Sequence, residues 1–139
     1  MKPSANKPCP CHSQRKYKSC CGPILKGKAA PTPEALMRSR YTAYASGMAE
    51  YIVRTTHPAG PQYQNDKNRW TADINAFCQG HQFTGLIVHK QRIDDVMGTV
   101  HFTATLEPDG TPSHLEEHSV FYRIHDQWLY WGPSTPSSD

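Results

Sequence analysis

No run of about 18 apolar residues occurs in the 139-residue chain, so a membrane-spanning helix is not expected. The opening stretch, Met1 to Lys7, lacks the apolar core of a secretion signal, and a cytoplasmic location follows as the expectation. Acidic residues are missing ahead of Glu34, whereas Lys2, Lys7, Arg15, Lys16, Lys18, Lys26 and Lys28 all precede it. With a formal net charge of only +3, the basic excess belongs to the N-terminal head and not to the chain as a whole. A glycine-rich phosphate loop, a nucleophile elbow and a cysteine–histidine pairing signal are also missing, so none of these motifs points to a reaction. Hydrophobic content is 37%, enough for one compact domain with a small appendage.

What is present is concentrated near the start. Four of the 5 cysteines stand in Cys9–Gly22 as two close pairs, Cys9 with Cys11 and Cys20 with Cys21. In a reducing compartment such spacing favours metal ligation over disulfides. Four thiolates suit a tetrahedral ion, with Zn–S distances of ~2.3 Å and no open position, so a structural Zn²⁺ is predicted. His12 is the competing ligand. The loop between the pairs carries Arg15, Lys16, Tyr17 and Lys18. Held rigid by the ion, it forms a candidate contact surface for an acidic protein or a nucleic acid. Cys78 stands alone and is read as a packing residue.

The order of elements predicts an α+β domain. Residues 1–22 form the loosely tethered basic head with its knuckle, 23–31 a linker rich in helix breakers, 32–132 the main domain and 133–139 a flexible tail. Thr32-Pro33-Glu34 starts a helix that runs to about Ser46, with Gly47 at its left-handed end. Further helices are expected over about 49–55 and 67–79. The period then changes to two, giving strands near 82–93, 97–107, 114–125 and 128–132, with turns at Pro108-Asp109-Gly110 and His125-Asp126-Gln127. Three helices packed on one face of a curved antiparallel sheet follow.

Arg40 lies between apolar helical neighbours and needs a partner if buried. Strand alternation puts Glu117, Ser119 and Phe121 on one face, so Glu117 is the expected partner. Arg40, Tyr41, His57, Glu117 and Ser119 are the candidate pocket residues, with His57 the possible acid–base group. Trp70, Trp128, Tyr130 and Trp131 are candidate walls for a flat ligand. The other histidines, His81, His89, His101, His114, His118 and His125, show no metal-ligand spacing along the chain.

Cys-Pro-Cys-His-Ser-Gln-Arg-Lys-Tyr-Lys-Ser-Cys-Cys-Gly resembles the SEC-C zinc motif, with His12 and Gln14 in place of its usual glycines. The same motif ends the preprotein translocase ATPase, where it binds zinc and contacts the export chaperone and ribosome. Pro33 to Tyr44, Thr56-His57-Pro58, Glu117 to Phe121 and Gln127 to Tyr130 resemble the YchJ family of small bacterial proteins. That resemblance implies an NTF2-like (cystatin-like) cone, helices wrapped over a bent sheet around a pocket. The SEC-C resemblance makes an adaptor contacting a protein or ribonucleoprotein through the knuckle the first expectation. A small-ligand receptor, or an isomerase- or dehydratase-type enzyme using Glu117 with His57 or Tyr41, is the second.

Overall fold

The computed structural model describes residues 3–134. A 3₁₀ turn at Tyr17–Ser19 leads into α1 (Cys21–Leu25), followed by α2 (Pro33–Ala45), α3 (Ala49–Arg54) and α4 (Lys67–Gly80). Four strands follow: β1 (Gln82–Asp94), β2 (Met97–Glu107), β3 (Ser113–Ile124) and β4 (Gln127–Pro133). They form one antiparallel meander in the order β1-β2-β3-β4. The stretch expected as a flexible tail, 133–139, starts inside the sheet, with Pro133 ending β4 and the Ser134 amide donating to His118 O at 2.6 Å, and from residue 135 onward it lies outside the described residues.

Local chemistry accounts for the element ends. The Thr32 hydroxyl accepts the Ala35 amide at 3.0 Å and Pro33 needs no amide partner at the first helical position, which starts α2. Gly47, at φ 70°, turns the chain out of α2. The Asp66 carboxylate accepts the Arg69 amide at 3.1 Å and starts α4. His125 and Asp126 both take positive φ, 50° and 63°, as a two-residue hairpin with right-handed strand twist requires. Register shifts between Phe83 and Gly85, Val88 and Lys90, and Val120 and Phe121 mark the bulges that bend the sheet.

Helix α2 lies across the concave face. Gly98 on β2 allows this: a Cβ there would stand 2.3 Å from Pro33 Cγ and 3.2 Å from Trp128, so only glycine lets α2 approach so closely. Leu36, Ile52, Val100 and Phe121 are almost fully buried in the resulting core.

The N-terminal region differs from expectation in two ways. Residues 5–8 are tied down: Lys18 N–H donates to Ala5 O (3.0 Å), Tyr17 N–H to Lys7 O (2.9 Å), and Pro8 bridges Lys16. The stretch expected as linker opens inside a helix, α1, a fourth helix beyond the three predicted. Its Ile24 and Leu25 are buried and anchor the knuckle against the domain.

Candidate metal centre and cavity

The Sγ atoms of Cys9, Cys11, Cys20 and Cys21 lie within 4.8 Å of one another. Cys11 and Cys20 are 3.6 Å apart; sulfurs around a tetrahedral ion at ~2.3 Å stand about 3.8 Å apart. All four are free thiols, three of them buried. Hydrogen bonds with Cys21 and Cys9 hold the Cys11 thiol far below its ordinary range, and those of Cys21 with Cys11 and Cys9 hold Cys21 far above it. Burial pushes Cys20 up to about 11. Four thiolates cannot be ionised together at this spacing without a cation, and a divalent ion turns their repulsion into ligation. The donor set therefore fits a metal.

Helix α2 and the knuckle loop supply the outer contacts. Thr42, fully buried, donates to Cys21 Sγ at 3.3 Å and lies 3.7 Å from Cys9 Sγ. One helical turn earlier, Arg38 bonds Glu34 (3.0 Å) and the Cys11 carbonyl (2.9 Å). Ser13 Oγ reaches Cys20 Sγ at 3.2 Å. Such contacts orient ligands and limit their motion. His12 is not in the cluster; its ring meets Tyr41 edge-on at 5.7 Å.

Arg15, Lys16 and Lys18 are exposed, as the contact-surface expectation requires. Tyr17 is not: it is 6% exposed, with its ring against Gly22, where a Cβ would meet the Tyr17 carbonyl at 2.8 Å and the ring at 3.2 Å. The tyrosine is the knuckle's own core, which removes it from the surface.

Between the helices and the sheet is a cavity of about 380 Å³. Four of the five candidate pocket residues, Arg40, Tyr41, Glu117 and Ser119, line it, together with Tyr130 and Trp70. Tyr44, Phe77 and Phe83 form an aromatic wall with centroid separations of 5.9 to 6.2 Å. Trp128 and Trp131 do not line it. His57 is also elsewhere: its ring packs on Trp131 (5.0 Å) and Tyr122 (6.1 Å), which alternate with the cavity-facing Tyr130 and Phe121. Its Nδ1 accepts the Ala59 amide at 3.0 Å, a turn contact and not an acid–base position.

The expected pair of Arg40 with Glu117 is not formed; among the described residues no salt bridge joins them. Arg40 instead donates to the Ile52 carbonyl (3.1 Å), Thr55 Oγ1 (2.8 Å) and Thr56 Oγ1 (3.2 Å), at the C-terminal end of α3. A helix C-terminus presents unpaired carbonyls and partial negative charge, so it substitutes for a carboxylate. Glu117 receives Ser119 Oγ–H (2.5 Å) and Tyr130 O–H (2.9 Å), both on Oε2. Its Oε1 receives no hydrogen bond among the described residues. Burial, reinforced by the Glu117 charge, raises the Tyr130 hydroxyl, which stays a donor at any ordinary pH. Burial also pushes Tyr41 up to about 12, and its O–H donates to the Gly85 carbonyl at 3.1 Å.

Comparison with known proteins agrees with the fold and with the motif at its start. Residues 32–133 match the family described as YchJ, middle NTF2-like domain, and residues 6–23 match the SEC-C motif. The chain belongs to the YchJ family. A UPF0225 protein from Deinococcus radiodurans is 43% identical over 126 residues, 89% of this chain and 86% of its own. One from Streptomyces coelicolor is 38% identical over 128 residues, covering 88% of this chain and 91% of the relative. The solution structure of a SEC-C motif containing protein from Rhodopseudomonas palustris superposes with a TM-score of 0.81 at 31% identity, over 94% of this chain and 100% of that one. A SEC-C motif containing protein from Psychrobacter arcticus shares the fold, with a TM-score of 0.77 at 24% identity over 97% and 86% of the two chains. No helix among the described residues is long and apolar enough to cross a membrane.

Proposed function

We propose that this protein is a small-ligand receptor whose cone takes a largely apolar molecule carrying one hydrogen-bond-donating or cationic group, received by Glu117. One observation carries the reading: an aromatic-rich, largely apolar cavity of about 380 Å³ has the half-buried Glu117 in its wall, with both internal donors on one oxygen and the other unengaged, while the second carboxylate of the lining, Asp73, is exposed. Cavities of ~300–1,000 Å³ with few fixed polar groups are the usual form of small-molecule sites. Zn²⁺ in the four-cysteine knuckle would have a structural role, bracing the outer side of α2. The pairing of Glu117 with His57 that an acid–base enzyme would use is not assembled, and the Tyr41 hydroxyl is engaged with the backbone.

The test is a thermal-shift and native mass-spectrometry screen with matched aromatic amines, alcohols and carboxylates. Amines and alcohols should bind and raise the melting temperature, carboxylates should not, and Glu117→Gln should abolish the preference for amines. Equal binding of all three classes, or an unchanged preference in Glu117→Gln, would overturn the reading.

A second reading, that the knuckle also docks a protein or ribonucleoprotein, is supported by the exposure of Lys7, Arg15, Lys16 and Lys18 on a segment without any acidic residue. Capture of partners by intact protein is compared with a Cys20→Ser, Cys21→Ser variant and with charge reversal at Arg15, Lys16 and Lys18. Retention of the same partners by both would refute it.

A further inference from the structure

On the face of the sheet turned away from the helices, histidines distant in sequence stand side by side. His101 on β2 and His118 on β3 are direct partners in the antiparallel ladder. Their rings stack at 4.0 Å with an interplanar angle of 8°. Glu116, two residues from His118 and so on the same face, accepts from His101 Nε2 at 2.6 Å. His89 on β1 closes the row, 4.6 Å from His101, with its Nε2 held by Thr103 Oγ1 at 2.8 Å.

We propose that His101, Glu116 and His118 form a second metal site, for a borderline divalent cation of the Zn²⁺, Ni²⁺ or Cu²⁺ class. One donor atom from each lies within 4.8 Å of the others. Donors on a tetrahedral ion at ~2.0–2.1 Å stand about 3.3 Å apart, so side-chain rotation alone assembles the set: the His101–Glu116 contact opens and the stacked rings splay. Two imidazoles with one carboxylate select these ions over Mg²⁺ and Ca²⁺, which take oxygen ligands. Three protein ligands on an exposed face leave at least one position for water or an exogenous ligand, unlike the closed knuckle. The strand pair fixes both backbones in advance, so little ordering is needed on binding.

The test uses full-length protein already carrying one equivalent of metal in the knuckle. Ni²⁺ is titrated in by calorimetry at pH 7.5 and followed by histidine side-chain NMR. One further equivalent should bind, with broadening confined to the His101 and His118 imidazoles and their neighbours. His101→Gln, His118→Gln and Glu116→Gln should each weaken this event at least tenfold, while His125→Gln at the β3–β4 turn should leave it unchanged. No second event up to millimolar Ni²⁺, binding unaltered in the three variants, or equal weakening by His125→Gln would each overturn the site.

Discussion

Tyr130 carries the Arg40 guanidinium on its ring, with Cζ 4.4 Å from the ring centroid, and spends its hydroxyl on Glu117. Cation and carboxylate are thus linked through one aromatic side chain without touching. Removing the guanidinium leaves the Thr55 and Thr56 hydroxyl oxygens without their donor and the Ile52 carbonyl with the threonine hydroxyls alone. Arg40→Met should lower unfolding stability by roughly 2–4 kcal/mol. Arg40→Lys should recover less than half, because an ammonium neither stacks flat nor presents a planar fork. Urea unfolding gives both values, and a loss below about 0.5 kcal/mol in Arg40→Met would show that the α3 end does not depend on this contact.

Thr42 links α2 to two of the four sulfurs. Thr42→Val keeps the shape and removes the hydroxyl, so metal affinity should fall by about 10–100-fold, as for other outer contacts to metal ligands. Thr42→Ser should stay near the parent. Competition against a chelating dye measures both.

Tyr41, Tyr44, Tyr51 and Tyr130 are all raised, in each case chiefly by burial. A raised folded-state value gives stability that is complete below the unfolded value of about 10 and is lost as pH rises through the folded one. Stability should therefore be flat through neutrality on account of these groups and decline from about pH 10 upward, through the value of about 12 for Tyr41. Phenolate absorbance should show these four titrating late, together with unfolding. Their early titration in folded protein would contradict the burial.

Gln14 sits at φ 70°, in the left-handed region that costs an ordinary residue about 1–2 kcal/mol. Glycine relieves that strain but adds chain entropy of about 0.5–1 kcal/mol in the unfolded state. Gln14→Gly should accordingly stabilise the metal-bound protein by roughly 0.5–1 kcal/mol, by thermal unfolding; a destabilised variant would refute the strain. His12, at φ 63°, is a less clean test because its ring also contacts Tyr41.

Much of this was legible in the sequence because the signals are local. Thr32-Pro33 and Gly47 delimit α2 through bonds made within a few residues, and strand alternation put Glu117 and Ser119 on the cavity face. The cysteine spacing likewise indicated the thiolate cluster. What could not be read depends on where distant segments meet. Arg40 was expected to need an anion; a row of oxygens at the end of α3 serves instead, and nothing in residues 52–56 advertises that. His57 follows α3 as expected, but the parallel bridge of Thr56 to Tyr130 carries its ring away from the cavity. His101 and His118 are 17 positions apart, and only the β2–β3 register makes them neighbours. Tyr17 was placed on the contact surface because the turn that buries it against Gly22 leaves no periodic signal.

Helix α2 has two working sides. Arg38 and Thr42 face the sulfurs, while Met37, Arg40, Tyr41 and Tyr44 face the cavity. Both sets of contacts hang on one helix only 13 residues long. Knuckle and cone therefore share a wall, and ligand binding by a cysteine variant or by metal-stripped protein is to be read beside a check that α2 is still in place.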